Sequence, residues 1–587
     1  MLKRFKKNKD QPVELAKKVS DRAVEMQSST SKHVGKYLTK RTKRLQGVSR
    51  FTIGWLVLAL GLCLTTSYAA YSLHSKSKVD APTSGGTYIE GVVGKVNNLN
   101  PLFATGVVDQ TATKLMFNGL LRYDQQGEYT PDLAEELKIS PDGKKYTLTL
   151  KEGVRWHDGD DFTSRDVLYT IKTIQNPATR SPLESTWKGV KVSAKGELGV
   201  EFSLTTAFAP FKEALTQPIL PAHILEDVEP STLRTSPYSN SPIGTGPFVM
   251  QILRESKNDQ QLEFQRNQEY YRGIPKLERF VIVAYEDESI LLEDLKNREI
   301  TAAAGLGQNS VDALASSDVR NIGYPLNYGT FAFFKTSVKP LDDADVRRAL
   351  VLATDRMPFL ELFQTRYQPL KTPLLQGQVG QSSKYNQQTD FKQAQKLLEK
   401  AGWKIKDGVR VKGNAKLELA LSTSNRDENS VIASELQRQW KELGIVVKPQ
   451  LLNQEQLEQT AIAGHDFQIF LSTVALGTDP DMYVYWHSSQ AKPGLRNFSQ
   501  WKNDRADLNL DVGRTRLDPV LRKARYEAFQ DEWQKQAPAV ALYRPQLYYS
   551  HYPNAAGFKI FPLTNTAERL TNVEQWTIET RRVTHTP

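Results

Sequence analysis

Across residues 132–174 the spacing of apolar positions changes period. Tyr146, Leu148 and Leu150 alternate with Thr147, Thr149 and Lys151, and Pro141-Asp142-Gly143 supplies turn chemistry just before them. A period of two with one apolar face predicts a β-hairpin. After the polar loop 156–161, Val167, Leu168, Ile171 and Ile174 share one side of a 3.6-residue repeat and predict a helix. Thr163 and Asp166 are spaced as its capping box.

The same patterns place elements elsewhere in the chain. Residues 85–89 start a first strand, 97–103 form a loop, and 111–121 predict a helix ending near Asn118-Gly119. The Pro/Gly-dense stretch 241–248 predicts a crossing between domains or a tight loop entering a strand. Strands are expected over 262–271 and 279–284, with an amphipathic helix over 290–297. A second body is expected to open near Tyr324, with a strand over 330–334, a helix over 343–355, and a helix over 391–401 capped by Gly402. Residues 417–422, 431–443 and 445–450 read as strand, helix and strand, which favours parallel pairing. A long helix over 518–536 and a strand run over 539–549 close the body.

At 587 residues the chain exceeds one hydrophobic core, so two or more domains are expected. Residues 1–50 hold fifteen Lys and Arg against four acids, which accounts for the whole net charge of +11. The remainder carries 62 charges of each sign, so the body has no electrostatic footprint for nucleic acid. Residues 51–73 contain no charge and are expected to form an uncleaved membrane-spanning helix, densest in apolar residues over 53–64. Ser67-Tyr68-Ala69 resembles a small-x-small cleavage site, so processing is a second reading; lipidation at Cys63 is a third, against which Leu62 stands where a small residue is needed. Arg41, Lys43, Arg44 and Arg50 precede the span, which puts the basic tail in the cytoplasm and the body on the extracytoplasmic side. Residues 74–84 read as a polar linker.

A hairpin, the loop Gly153-Val154-x-Trp156-x-Asp158-Gly159 and an immediately capped helix resemble the family 5 extracytoplasmic solute-binding proteins of ABC importers, the oligopeptide and dipeptide receptors. Further motifs in that family's order carry the resemblance over residues 85–577. They include Asn100-Pro101, Gly119-Leu120-Leu121 with Tyr123, Gly244-Thr245-Gly246-Pro247-Phe248, Val346-Arg347-Arg348-Ala349-Leu350, Ala401-Gly402-Trp403 and Thr478-Asp479-Pro480-Asp481. The resemblance implies an α/β, type II periplasmic-binding-protein-like fold of two lobes with an extra inserted α+β domain. The expected division is 1–50 tail, 51–73 transmembrane helix, 74–84 linker, 85–122 lobe I, 123–240 inserted domain II, 241–323 lobe I, 324–530 lobe III and 531–587 lobe I.

It also implies a function: capture of a peptide or peptide-like solute between the lobes and delivery to an ABC permease and its ATPase, by a monomer that performs no chemistry and needs no cofactor. By the same resemblance, Thr105, Gly106, Val107, Val108 and Asp109 follow the Asn-Pro loop that gives cleft backbone contacts; the bland alternative is a surface loop. Trp187 lies in the part of the inserted domain that touches ligand in relatives, or is an ordinary core tryptophan. Tyr543, Arg544 and Tyr548 belong to the late strand that lines the cleft. Asp479 aligns as the partner of a ligand ammonium, where shielding from water strengthens a charge pair; a second alignment puts Leu476 there, and a turn carboxylate is the structural alternative. Two departures leave the ligand class open: Leu471-Ser472-Thr473-Val474 lacks the relatives' tryptophan, and Lys335-Thr336 replaces a common Asn-Thr pair.

Other constellations carry little. His157, Asp158, Asp160 and Asp161 lack calcium-loop spacing, and the eight histidines include no His-x-x-x-His pair. Ser488 and Ser489 beside His487 lie in no nucleophile elbow. The single Cys63 excludes disulfides within the chain. The rival function is a membrane-anchored sensor or scaffold that reuses the fold and signals through the basic tail.

Overall fold

The computed structural model describes residues 49–76, 78–124, 127–255, 259–363 and 367–584. The basic tail lies outside them, apart from its last two residues. The chain divides into two compact units, Met1–Ala81 with Arg581–Pro587, and Pro82–Thr580.

The first unit contains the helix Ser49–Lys76. The membrane span expected over 51–73 is helical but not supported: among the described residues no helix is long and apolar enough to cross a membrane. The apolar run 53–64 reaches only roughly 18 Å at helical rise, against about 30 Å of hydrocarbon, before Thr65, Thr66 and Ser67. Those threonines turn their hydroxyls back onto the carbonyls of Gly61 and Leu62. The single-pass topology loses its support with it. Over the expected linker the helix continues to Lys76, and Lys78–Thr83 pairs with Glu579–Thr584.

The second unit is built on three main sheets. The first lobe's seven-stranded sheet runs Arg320–Pro325, Gln546–His551, Ala302–Ala304, Thr87–Val93, Arg279–Tyr285, Asp259–Arg266 and Phe248–Glu255. Thr87–Val93 pairs parallel with both its neighbours, and the outer strands pair antiparallel. The second lobe's six-stranded sheet runs Gln368–Pro369, Ala539–Arg544, Tyr328–Phe334, Ile469–Ala475, Glu418–Ser424 and Val446–Leu452. Glu418–Ser424 and Val446–Leu452 are parallel across the helix Asp427–Lys441, as their spacing predicts. Ala332 and Phe334 pack with the helices Ala344–Leu352, Phe391–Lys400 and Asp427–Lys441. Phe331 and Phe333 pack oppositely with Trp486, Phe529 and Trp533. Burial on both faces is why this strand is apolar without alternation.

The inserted domain carries an antiparallel sheet in the order Ala134–Ile139, Lys145–Leu150, Gly199–Ser203 and Lys191–Ala194. Its hairpin turns at Gly143, whose φ of 70° favours glycine, while Asp142 Oδ1 accepts from Ser140 Oγ at 2.5 Å and Lys144 N at 3.1 Å. The helix Ser164–Gln175 begins with the expected capping box: Thr163 N donates to Asp166 Oδ2 at 2.9 Å.

Several expected boundaries shift. The helix expected over 111–121 is Val107–Met116, because the segment from Phe117 is extended and Leu121–Tyr123 is already a strand. The strand expected to reach 271 stops at Arg266. The run 539–549 is broken at Pro545, so Ala539–Arg544 stays in the second lobe and the return to the first lobe falls there, not at 531. Gly244 and Gly246 pack closely on the end of the helix Val107–Met116 within the first lobe. A Cβ at Gly244 would lie 1.9 Å from Met116 O, and Gly246 N donates to that oxygen at 2.7 Å.

Candidate functional site

Two crossings join the lobes, and they touch. One passes through Leu326 and Asn327, between Arg320–Pro325 and Tyr328–Phe334; the other is Pro545. Leu326 N donates to Pro545 O at 3.0 Å, and Arg544 Nε returns a bond to Leu326 O at 2.7 Å. Arg544 Nη2 donates to Asn327 Oδ1 at 2.8 Å. Asn327 O accepts from Leu476 N and Gly477 N, while Asn327 Nδ2 reaches Tyr123 Oη and Thr478 Oγ1, each at 3.5 Å. One asparagine therefore ties both crossings to the second lobe and to the start of the inserted domain.

Beyond this hinge the inserted domain meets the second lobe. Ala209 N donates to Arg514 O at 2.8 Å, and the Arg514 guanidinium lies over Phe208 and Tyr483 while pairing with Asp481 at 2.9 Å. Glu213 remains solvent-accessible but is enclosed by protein, with Tyr129 beside it. Burial first, then the carboxylates of Glu568 and Asp479, push Glu213 up to about 7. Tyr123, Tyr129 and Tyr328 face the same acids.

A cavity of about 240 Å³ opens between the first lobe and the inserted domain, lined among others by Lys114, Arg122, Tyr123, Gln217 and Glu568.

The expected site residues divide. Thr105 is exposed in the loop, but Val107 is the first residue of a helix, Val108 is buried, and Gly106 precedes them as N-cap. Asp109 is buried, with Oδ1 accepting from Asn97 N at 2.8 Å, so it organises the loop and is turned from solvent. Burial raises its pKa. Trp187 is a core residue against Phe202 and Phe211, with centroids 5.8 and 5.6 Å away. Both carboxylate oxygens of Asp479 accept from Arg522 Nη2, at 2.6 and 2.8 Å, so its charge is already matched within the second lobe. Leu476 is buried. Tyr543 is fully buried, donates to Glu428 Oε1 at 2.8 Å and stacks on Tyr367 at 4.9 Å, while Tyr548 stacks on the other lobe's Tyr367 at 6.4 Å. Arg544 is the hinge residue described above.

Asn327, Glu213, Lys114 and Glu568 are not among the residues expected at the site. Asn327 stands between Pro325 and Gly329, a punctuation that could have marked the hinge; the others carried no sequence signal, since strands far apart in the chain bring them together. Among the described residues no group of three or more His, Cys, Asp and Glu is placed to hold a metal ion. His157 has a structural partner instead: its Nε2 lies 3.0 Å from Gly246 O, its N donates to Gly244 O, and burial pulls its pKa down to about 4.

Residues 128–494 match the description "Bacterial extracellular solute-binding proteins, family 5 Middle". The oligopeptide-binding protein AppA of Bacillus subtilis is 27% identical over 538 residues, covering 89% of this chain and 97% of that protein. The solved structure of that AppA in complex with a nonapeptide matches with a TM-score of 0.69 at 25% identity, covering 85% of this chain and 100% of its own. The structure of NikZ from Campylobacter jejuni in complex with Ni(L-His) matches with a TM-score of 0.71 at 26% identity, covering 84% and 99%. The family match over more than half the chain and these likenesses describe a binding protein and not an enzyme. The chain belongs to the family 5 bacterial extracellular solute-binding proteins.

Proposed function

We propose that this protein captures a peptide or peptide-like solute between its two lobes, outside the cytoplasm, and hands it to the permease of an ABC importer. The paired crossing at Asn327 and Arg544 carries the reading. Two adjacent backbone links let the lobes rotate as rigid bodies about one line, and closure then shields a solute from water. The enclosed surface is rich in tyrosine hydroxyls and accessible carboxylate, which suits hydrogen bonding to a peptide main chain, directly or through water. The likeness to AppA, named as an oligopeptide-binding protein and solved with a nonapeptide, supports a peptide, and the equal likeness to NikZ, solved with Ni(L-His), makes a metal chelate the rival outcome of the test. Residues 53–64, whose large apolar side chains are exposed among the described residues, are the segment we assign to holding the body at a membrane surface.

The test is to purify the full chain, release what co-purifies with it and identify that by mass spectrometry. Peptides are the expected result. Recovery of sugars or metal chelates with no peptide would sink the reading.

A further inference from the structure

We propose that the cavity between the first lobe and the inserted domain is a carboxylate-binding subsite, with Lys114 as its charge centre and Arg122 beside it. The proposal deepens peptide capture and rests on it: the carboxylate is the ligand's C-terminus or an Asp or Glu side chain.

The cavity measures about 240 Å³, several times the roughly 30 Å³ that one water occupies, and so admits a carboxylate with part of its chain. The helix Val107–Met116 supplies Lys114 to its wall, and the strand Leu121–Tyr123 supplies Arg122. Among the described residues neither cation has a hydrogen-bond or ion-pair partner within 4.0 Å. The acids in reach of Lys114 are already engaged. Glu568 accepts from Thr564 N at 2.6 Å and from Thr564 Oγ1 at 2.5 Å. Asp132 accepts from Tyr271 Oη at 2.7 Å and Asn118 Nδ2 at 3.1 Å, and pairs with Arg272.

Gln217, in the same lining, has a buried Nε2 with no partner. Two cations and one amide donor are thus unspent around one cavity, and an ionised carboxylate, an acceptor with two oxygens, complements them. Burial lowers the pKa of Lys114, a penalty that an incoming anion would relieve. Tyr123 and Glu568 carry the lining toward the hinge, where Tyr123 Oη meets Asn327, so the cavity adjoins the surface between the lobes.

The experiment uses the full chain and two random pentapeptide libraries that differ only in a C-terminal acid or amide. A second comparison uses defined pentapeptides that differ by one Glu or Gln. Wild type is expected to retain the charged member of one comparison at least tenfold better, and whichever comparison discriminates identifies the source of the carboxylate. Lys114→Met is expected to remove that preference while still retaining neutral peptides, and Lys114→Arg to keep it. Arg122→Gln, on a different element, is expected to cut the preference several-fold and serves if Lys114→Met does not fold. Equal retention of charged and neutral members by wild type, or an unchanged preference in the variants, overturns the subsite and leaves peptide capture standing. Retention of no peptide at all by wild type overturns both.

Discussion

Arg544 donates to Asn327 at 2.8 Å across the two strands that join the lobes. The arginine belongs to the last second-lobe strand, and the asparagine lies two residues past the first lobe's Pro325. Both are buried, so the bond is worth more than an exposed one and its loss leaves a buried donor unmet. Asn327→Ala is expected to cost about 1–3 kcal/mol in urea unfolding. An unchanged midpoint would remove Asn327 from the hinge account.

Asp479 has its charge matched by Arg522, itself buried and also bonded to Gly513 O at 2.9 Å. Removing one member of such a pair strands the other. Asp479→Asn should therefore lower the stability of the ligand-free protein by roughly 3 kcal/mol. A variant of unaltered melting temperature that loses only ligand affinity would restore Asp479 as the ammonium partner.

Glu90 and Arg569 form an ion pair with both side chains fully buried in the first lobe, and Tyr549 Oη donates to the other Glu90 oxygen at 2.7 Å. Arg569→Met leaves that carboxylate without its counter-charge. A loss of about 3–5 kcal/mol in denaturant titration is expected, far above that of an exposed pair such as Lys95–Glu286.

His157 is held neutral by burial, with a folded pKa of about 4 against an ordinary 6.5. Because the folded value is depressed, the unfolded chain takes up the proton first as pH falls. Stability is then full above pH 6.5 and declines between 6.5 and about 4, by about 3 kcal/mol at most. Thermal melts across that window should show the decline in wild type and a shallower one in His157→Asn. Parallel curves would mean that other groups set the acid response.

Legibility followed sequence distance. The hairpin, the Thr163–Asp166 capping box and the parallel unit around Asp427–Lys441 could be read because turn, cap and periodicity are local properties. The break at Pro545 was not read as a change of lobe, since both halves of the run 539–549 are buried strands of like character and only pairing with different neighbours separates them. The helix Val107–Met116 was placed late because Val107 and Val108 read as loop, and it brought Asp109 inward.

The order of motifs along the chain determined the family, and local periodicity determined most of the elements that build its lobes. Which side chains are already engaged by internal partners was decided by the tertiary structure alone. Trp187 became core and Asp479 became half of an ion pair, because a side chain's partners sit on other elements, beyond the reach of local spacing. The same long-range closure put Lys114, Arg122 and Gln217 around one cavity and Arg544 beside Asn327, juxtapositions that no local spacing encodes.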